Sequence, residues 1–222
     1  MRHEILYQPS YAVARVTLDQ GEAIRAESGA MVGMSPTLQI DSKMQGGLGK
    51  ALGRLLGGES LFQTTFTATH GPGEVLLAPP GPGDIFITEP GYGLMVTSGC
   101  FLAGDTTLNF ETVASFKGFF SGEGLFMMKV SGAGQMLLSS FGAIHAIQLQ
   151  PGQPYIVDTG HIVAFTAGMG YELRKAAGGI LNTLKSGEGI VVNLTGPGIV
   201  YLQTRTPQAF GGMISRYIPT KG

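Results

Sequence analysis

Three glutamates recur in one setting. Gly58-Glu59, Gly122-Glu123 and Gly187-Glu188 are each followed, after one residue, by an apolar pair. Converging carboxylates bind hard cations or share protons. If a threefold arrangement brought Glu59, Glu123 and Glu188 together, they would form such a site. The plainer reading gives each carboxylate the N–H groups of its own glycine-rich turn, once per unit, and that reading is favoured because structural devices are copied along with repeats.

Asp158 and His161 form the second candidate, in Asp158-Thr159-Gly160-His161. Related segments carry Ala30 and Cys100 where this one carries His161, so the histidine is a local departure. An imidazole serves as ligand, as acid or base, or as a hydrogen-bonded strut, and the strut is favoured here. His3, His70 and His145 are scattered without metal-ligand spacing. Cys100 has no basic neighbour in sequence to lower its pKa and reads as a buried, inert thiol.

Other chemistry fails on spacing. Gly46-Gly47-Leu48-Gly49-Lys50-Ala51 lacks the spacer and the hydroxyl residue of a phosphate loop. Gly71-Pro72-Gly73 and Gly196-Pro197-Gly198 lead into strands rather than helices, so they are not dinucleotide fingerprints. No nucleophile elbow is present; Ser28-Gly29 and Ser98-Gly99 are turn residues. The sequence therefore points away from an enzyme, and no cofactor is expected.

The elements that would position these residues come in three copies. Gly21 to Val32 matches Gly152 to Val163 at a spacing of 131, with both glycines, the acid (Glu27, Asp158), the hydroxyl (Ser28, Thr159) and the valine coinciding. A spacing of 70 gives Gly91 to Leu102, which keeps both glycines and Ser98. The Gly-Glu motif follows in each copy. Last comes a Gly-x-Gly turn before an apolar strand, at Gly71, Gly132 and Gly196. The copies are bounded at about 21–78, 91–139 and 152–203.

Each copy reads as strands around a Ser/Thr-Gly turn, a variable connection, a strand after Gly-Glu, and a closing strand. The expected fold is all-β, a single domain whose three units form sandwich or prism-like sheets with short helical connections. The only helical periodicity falls in those connections: Leu48, Ala51, Leu52, Leu55 and Leu56 in the first, and Ile180, Leu181 and Leu184 in the third, with residues 112–120 in the same place in the second. The first reads as a cap over a sheet edge rather than a membrane-surface helix.

Composition narrows the partners. Charged residues are only 13% of the 222, mean hydropathy is +0.21 and the net charge is −1. So little charge cannot cover the surface, and burial in a homo-oligomeric interface is expected. The balanced charge, with Arg54, Lys117, Arg174, Lys175 and Lys185 dispersed, speaks against nucleic acid. One cysteine and no signal-peptide pattern favour the cytoplasm, and no apolar run approaches the ~20 residues of a spanning helix.

Gly57 to Phe62, Ser121 to Leu125, Val157 to His161 and Thr195 to Gln203 together resemble a bacterial and archaeal family of unknown function. That family is similar to the mitochondrial-biogenesis family named for altered inheritance of mitochondria. The resemblance runs from about residue 3 to residue 218. It implies a fold like that of the trp RNA-binding attenuation protein, with the unit duplicated within one chain and the chains assembling as oligomers. It implies no activity. A link to inner-membrane organisation transfers only as analogy.

Two functions compete on these grounds. One is a non-enzymatic oligomeric scaffold facing a protein or a membrane surface. The other is a small-ligand module with a pocket between units, lined by groups such as Asp158, His161 or the glutamates.

Overall fold

A computed structural model describes residues 1–44, 62–113, 127–175 and 190–218. Within them the chain is nearly all antiparallel β. A four-stranded sheet orders β1 (Arg2–Leu6), β2 (Val13–Leu18), β7 (Gly73–Leu77) and β4 (Met31–Met34). A six-stranded sheet follows, in the order β5 (Leu38–Met44), β6 (Phe62–Ala68), β3 (Ala23–Glu27), β10 (Phe101–Asp105), β13 (Met136–Ser139) and β8 (Ile85–Thr88).

The second six-stranded sheet has the same plan: β11 (Asn109–Thr112), β12 (Met127–Ser131), β9 (Leu94–Thr97), β16 (Ile162–Thr166), β19 (Gly198–Gln203) and β14 (Ile144–Leu149). Three strands, β15 (Pro154–Asp158), β18 (Ile190–Thr195) and β17 (Gly170–Lys175), complete the architecture. Each six-stranded sheet is thus two triplets fused at one seam, β3 to β10 or β9 to β16.

The strand after each Ser/Thr-Gly turn carries a register shift. It falls between Met31 and Gly33, between Phe101 and Ala103, and between Ile162 and Ala164. One extra residue on one strand bends and twists it.

Burial follows from how the sheets stack. β2 alternates, burying Ala14, Val16 and Leu18, as a strand with one covered face does. β13 is buried at every position because Leu137 packs into one core cluster while Met136 and Leu138 pack into the next. That is why its sequence, Met-Leu-Leu-Ser, reads as a continuous apolar run rather than an alternation. On the first sheet, Arg15 reaches Glu4 at 2.9 Å and Glu74 at 3.6 Å across neighbouring strands. These exposed pairs fix little energy.

The expectation that helical periodicity occurs only in the connections is corrected. Helix α1 (Pro207–Ser215) follows the last strand. Thr206 caps it, its Oγ1 accepting from the Ala209 N–H at 3.1 Å, and Pro207 fills the first turn, where no N–H is needed. Phe210 packs against Phe141 with ring centroids 5.3 Å apart. The periodicities at 48–56 and 180–184, and residues 114–120 of the second connection, lie outside the described residues.

Candidate functional site

Glu59, Glu123 and Glu188 also lie outside the described residues. Asp158 and His161 are described, and each is engaged by backbone. A single 3-10 turn, Thr159–His161, holds both. Asp158 Oδ1 accepts from the Gly160 N–H at 2.8 Å, and Thr159 Oγ1 donates to the Ile190 carbonyl at 2.9 Å.

His161 Nδ1 sits 2.7 Å from the Gln203 carbonyl, so it carries the proton in that bond and a neutral ring keeps Nε2 as its acceptor. The Gln203 side chain, itself buried, ties the turn down. Its Nε2 donates to the Gly160 carbonyl at 2.7 Å and its Oε1 accepts from the Phe141 N–H at 2.8 Å. The turn is a hydrogen-bonded clasp between β15, β16 and the end of β19.

The related turns are built differently. Gly29 and Gly99 adopt φ of 89° and 80°, left-handed values that disfavour a side chain. Gly160 is not left-handed; the Asp158 carboxylate shapes that turn instead. Ala30 and Cys100 stand where His161 stands.

Cys100 is buried in the turn just before β10, packed with Leu94, Val96 and Phe101 in the second core cluster. Burial first, and the Glu27 carboxylate second, push its thiol up to about 12. Such a thiol is not a nucleophile at neutral pH. Burial also raises the Glu27 carboxyl above its usual range. Gln63, whose Cα lies opposite Glu27 on β6, is buried with neither side-chain polar atom hydrogen-bonded. Sequence reasoning misses this polar pair between β3 and β6, because Glu27 stands out there only as a repeat landmark.

Asp84 is missed as well. It is buried, its Oδ1 accepting from Gln8 Nε2 at 2.9 Å and from the Ile85 N–H at 2.8 Å. Its pattern, Gly83-Asp84 before an apolar strand, looks like any turn. Among the described residues no group of three or more His, Cys, Asp and Glu side chains is placed to hold a metal ion. His3 pairs instead with Gln135, Nδ1 to Oε1, at 2.9 Å.

Comparison with known proteins gives kinship without chemistry. The chain is 32% identical over 231 residues to an uncharacterised protein of Streptococcus pyogenes serotype M6, spanning 99% of this chain and 92% of that one. A crystal structure of a Streptococcus pyogenes protein, a structural-genomics target, matches with a TM-score of 0.83 at 30% identity, covering 98% of this chain and 99% of that one. Residues 3–205 match the family described as mitochondrial biogenesis AIM24, and the chain belongs to that family.

Proposed function

We propose that this protein is a non-enzymatic β scaffold that acts as a homo-oligomer and presents apolar surfaces to a protein or membrane partner. The observation that carries this reading is where large apolar side chains stand in water. Met31 and Val32 are exposed on β4, Tyr155 and Ile156 on β15, and Phe210, Met213 and Ile214 on α1. The helical set recurs at i, i+3 and i+4, which makes one face, and Tyr217 and Ile218 extend it into the following turn. Exposed apolar surface gathered on particular elements marks interaction sites rather than chemistry.

Three further points support it. The Asp158 and His161 side chains are spent on backbone, and Cys100 is buried with its thiol held protonated. The two six-stranded sheets share one plan, as expected of a triplicated unit at about 21–78, 91–139 and 152–203 with a fold of the kind found in the trp RNA-binding attenuation protein. No described helix is long and apolar enough to cross a membrane, so a membrane partner would be met at its surface. Cytosolic residence belongs to the same proposal and rests on the single cysteine.

Light scattering on the purified chain at micromolar concentration tests it. The expected mass is a multiple of 23.2 kDa. A clean monomer overturns the oligomeric scaffold.

A further inference from the structure

Two seams inside the chain are made alike. At the first, β10 pairs with β3 as Ala103 to Ala26, Gly104 to Arg25 and Asp105 to Ile24. At the second, β16 pairs with β9 as Ala164 to Val96, Phe165 to Met95 and Thr166 to Leu94. Shifting residues 21–40 by 70 or 131 maps one seam on the other without a gap, and it also maps β4 on β10 and β16, and β15 on β3 and β9.

β4 and β15 should therefore be interior strands, yet each ends its sheet. β4 is already bonded on its other side as its counterpart is: the Ser35 N–H donates to the Glu74 carbonyl at 2.8 Å, as Asp105 does to Gln135 at 2.9 Å. Among the described residues it has no partner on the open side.

The side chains say the same. Leu102 and Val163 are 0% exposed at the closed seams, whereas Val32 in the same place is 61% exposed. Met95 is 6% exposed and its counterpart Ile156 is 67%. Arg25, the third member of that set, lies over the Phe110 ring at 5.4 Å. The counterpart of Phe110 is Ile40, which is also exposed. Unpaired apolar edge strands are templates for another chain, and this chain carries both halves of one template.

We propose that β15 of one copy pairs antiparallel with β4 of a second copy, in the register of the internal seams. Gly33 then faces Val157, Met34 faces Ile156 and Ser35 faces Tyr155, and three strands of one chain join four of the next in one sheet. Ile156 comes over the partner's Ile40 as Arg25 comes over Phe110. Because the two edges differ, the contact is head-to-tail, and it propagates to a closed ring or an open filament according to the rotation per copy. The inference rests on the oligomeric reading above and names its interface.

Val32→Glu and Ile156→Glu test it, since both side chains stand in solvent within one chain and each variant should keep the melting temperature of the isolated fold. Each alone should reduce the wild-type assembly to monomer by light scattering. Mixed, the two leave one intact seam and should give a dimer and nothing larger. A second pair needs no disruption: chains carrying Met34→Cys mixed with chains carrying Ile156→Cys should cross-link between chains under mild oxidation.

A wild-type oligomer indifferent to both glutamates overturns the seam while leaving the scaffold standing. A monomeric wild type overturns both. Cross-linking within one chain in the doubly substituted protein overturns the inference, because the two edges would then be closing on each other.

Discussion

The seams between β3 and β10 and between β9 and β16 differ from the open edges of β4 and β15 in burial far more than in residue type. Valine or leucine occupies position 32, 102 or 163 alike. Two of the three sit inside a core, and the third stands in water. An apolar residue thus records the environment for which a strand is built, and its exposure records whether the neighbouring strand is present. The free edges are interior strands by sequence and edge strands by position.

The largest effect that separates the two regions should come from truncating a seam residue. Leu102→Ala removes a fully buried side chain from the first core cluster and should cost ~2–5 kcal/mol of folding stability. Val32→Ala, at the matching place on the open edge, should cost under ~0.5 kcal/mol in the monomer. Urea denaturation at a concentration low enough to dissociate any assembly measures both. Equal costs would mean that β4 is already covered in the single chain.

Next in size is Gln203→Ala. It strips the clasp of a buried amide and leaves the Phe141 N–H and the Gly160 carbonyl without their partner, at a cost of roughly 1–3 kcal/mol. Gln148→Ala on β14, where the amide bonds at 3.2 Å to the Gly198 carbonyl in solvent, serves as the control and should fall within ~0.5 kcal/mol of wild type. Thermal melts of the two variants rank them. An indifferent Gln203→Ala would show that the Thr159–His161 turn does not need its tie.

A smaller contrast separates the turns. Gly99 has φ of 80° and open space where a methyl would stand, so Gly99→Ala should cost about 1–2 kcal/mol from backbone conformation alone. Gly160 carries no left-handed φ, and an added Cβ would meet Asp158 Oδ1 and Thr206 Cγ2, both at 3.3 Å. Gly160→Ala should therefore cost less, because shifts of a few tenths of an ångström in the Asp158 and Thr206 side chains relieve both contacts. The reversed order in a melting experiment would place the strain in the clasp instead.

Much of the strand framework is legible in the sequence because turns and apolar runs are local signals. Ser60 to Thr69 reads as a strand, and β6 occupies most of it. Gly73 and Gly198 open β7 and β19 as their turn spacing implies. The strands β5, β11 and β17 do not separate from the variable connection, because their pairing with β6, β12 and β18 is set across a long gap in sequence. Helix α1 escapes the repeat-based reading although Thr206-Pro207 is a start signal and Phe210, Met213 and Ile214 keep helical spacing. It lies beyond the third copy, where no second instance reinforces so short a pattern.

The candidate site is legible only as a turn. Sequence places Asp158 and His161 together, but their hydrogen bonds run to Gly160 and to Gln203, and the second partner is 42 residues away. Nor can sequence show that the Glu27 carboxylate acts on the Cys100 thiol, since the two come near only when β3 and β10 pair.

That half-buried carboxylate gives the mildest test of the same contrast. Burial raises the folded-state pKa of Glu27 above 4.5, so below that value the group is protonated in the folded and unfolded chain alike and imposes no penalty. As pH rises from 4.5 through the raised folded value, the unfolded chain releases its proton first, and folding loses stability until Glu27 is ionised in both states. Glu27→Gln removes the charge while keeping the shape. It should therefore be more stable than wild type at pH 7 and indistinguishable from it below pH 4.5, in paired denaturation curves across that range. An advantage that persisted unchanged into acid would assign the gain to packing rather than to a half-buried charge. The same substitution should ease the Cys100 thiol downward only slightly, because burial is the larger cause of its shift.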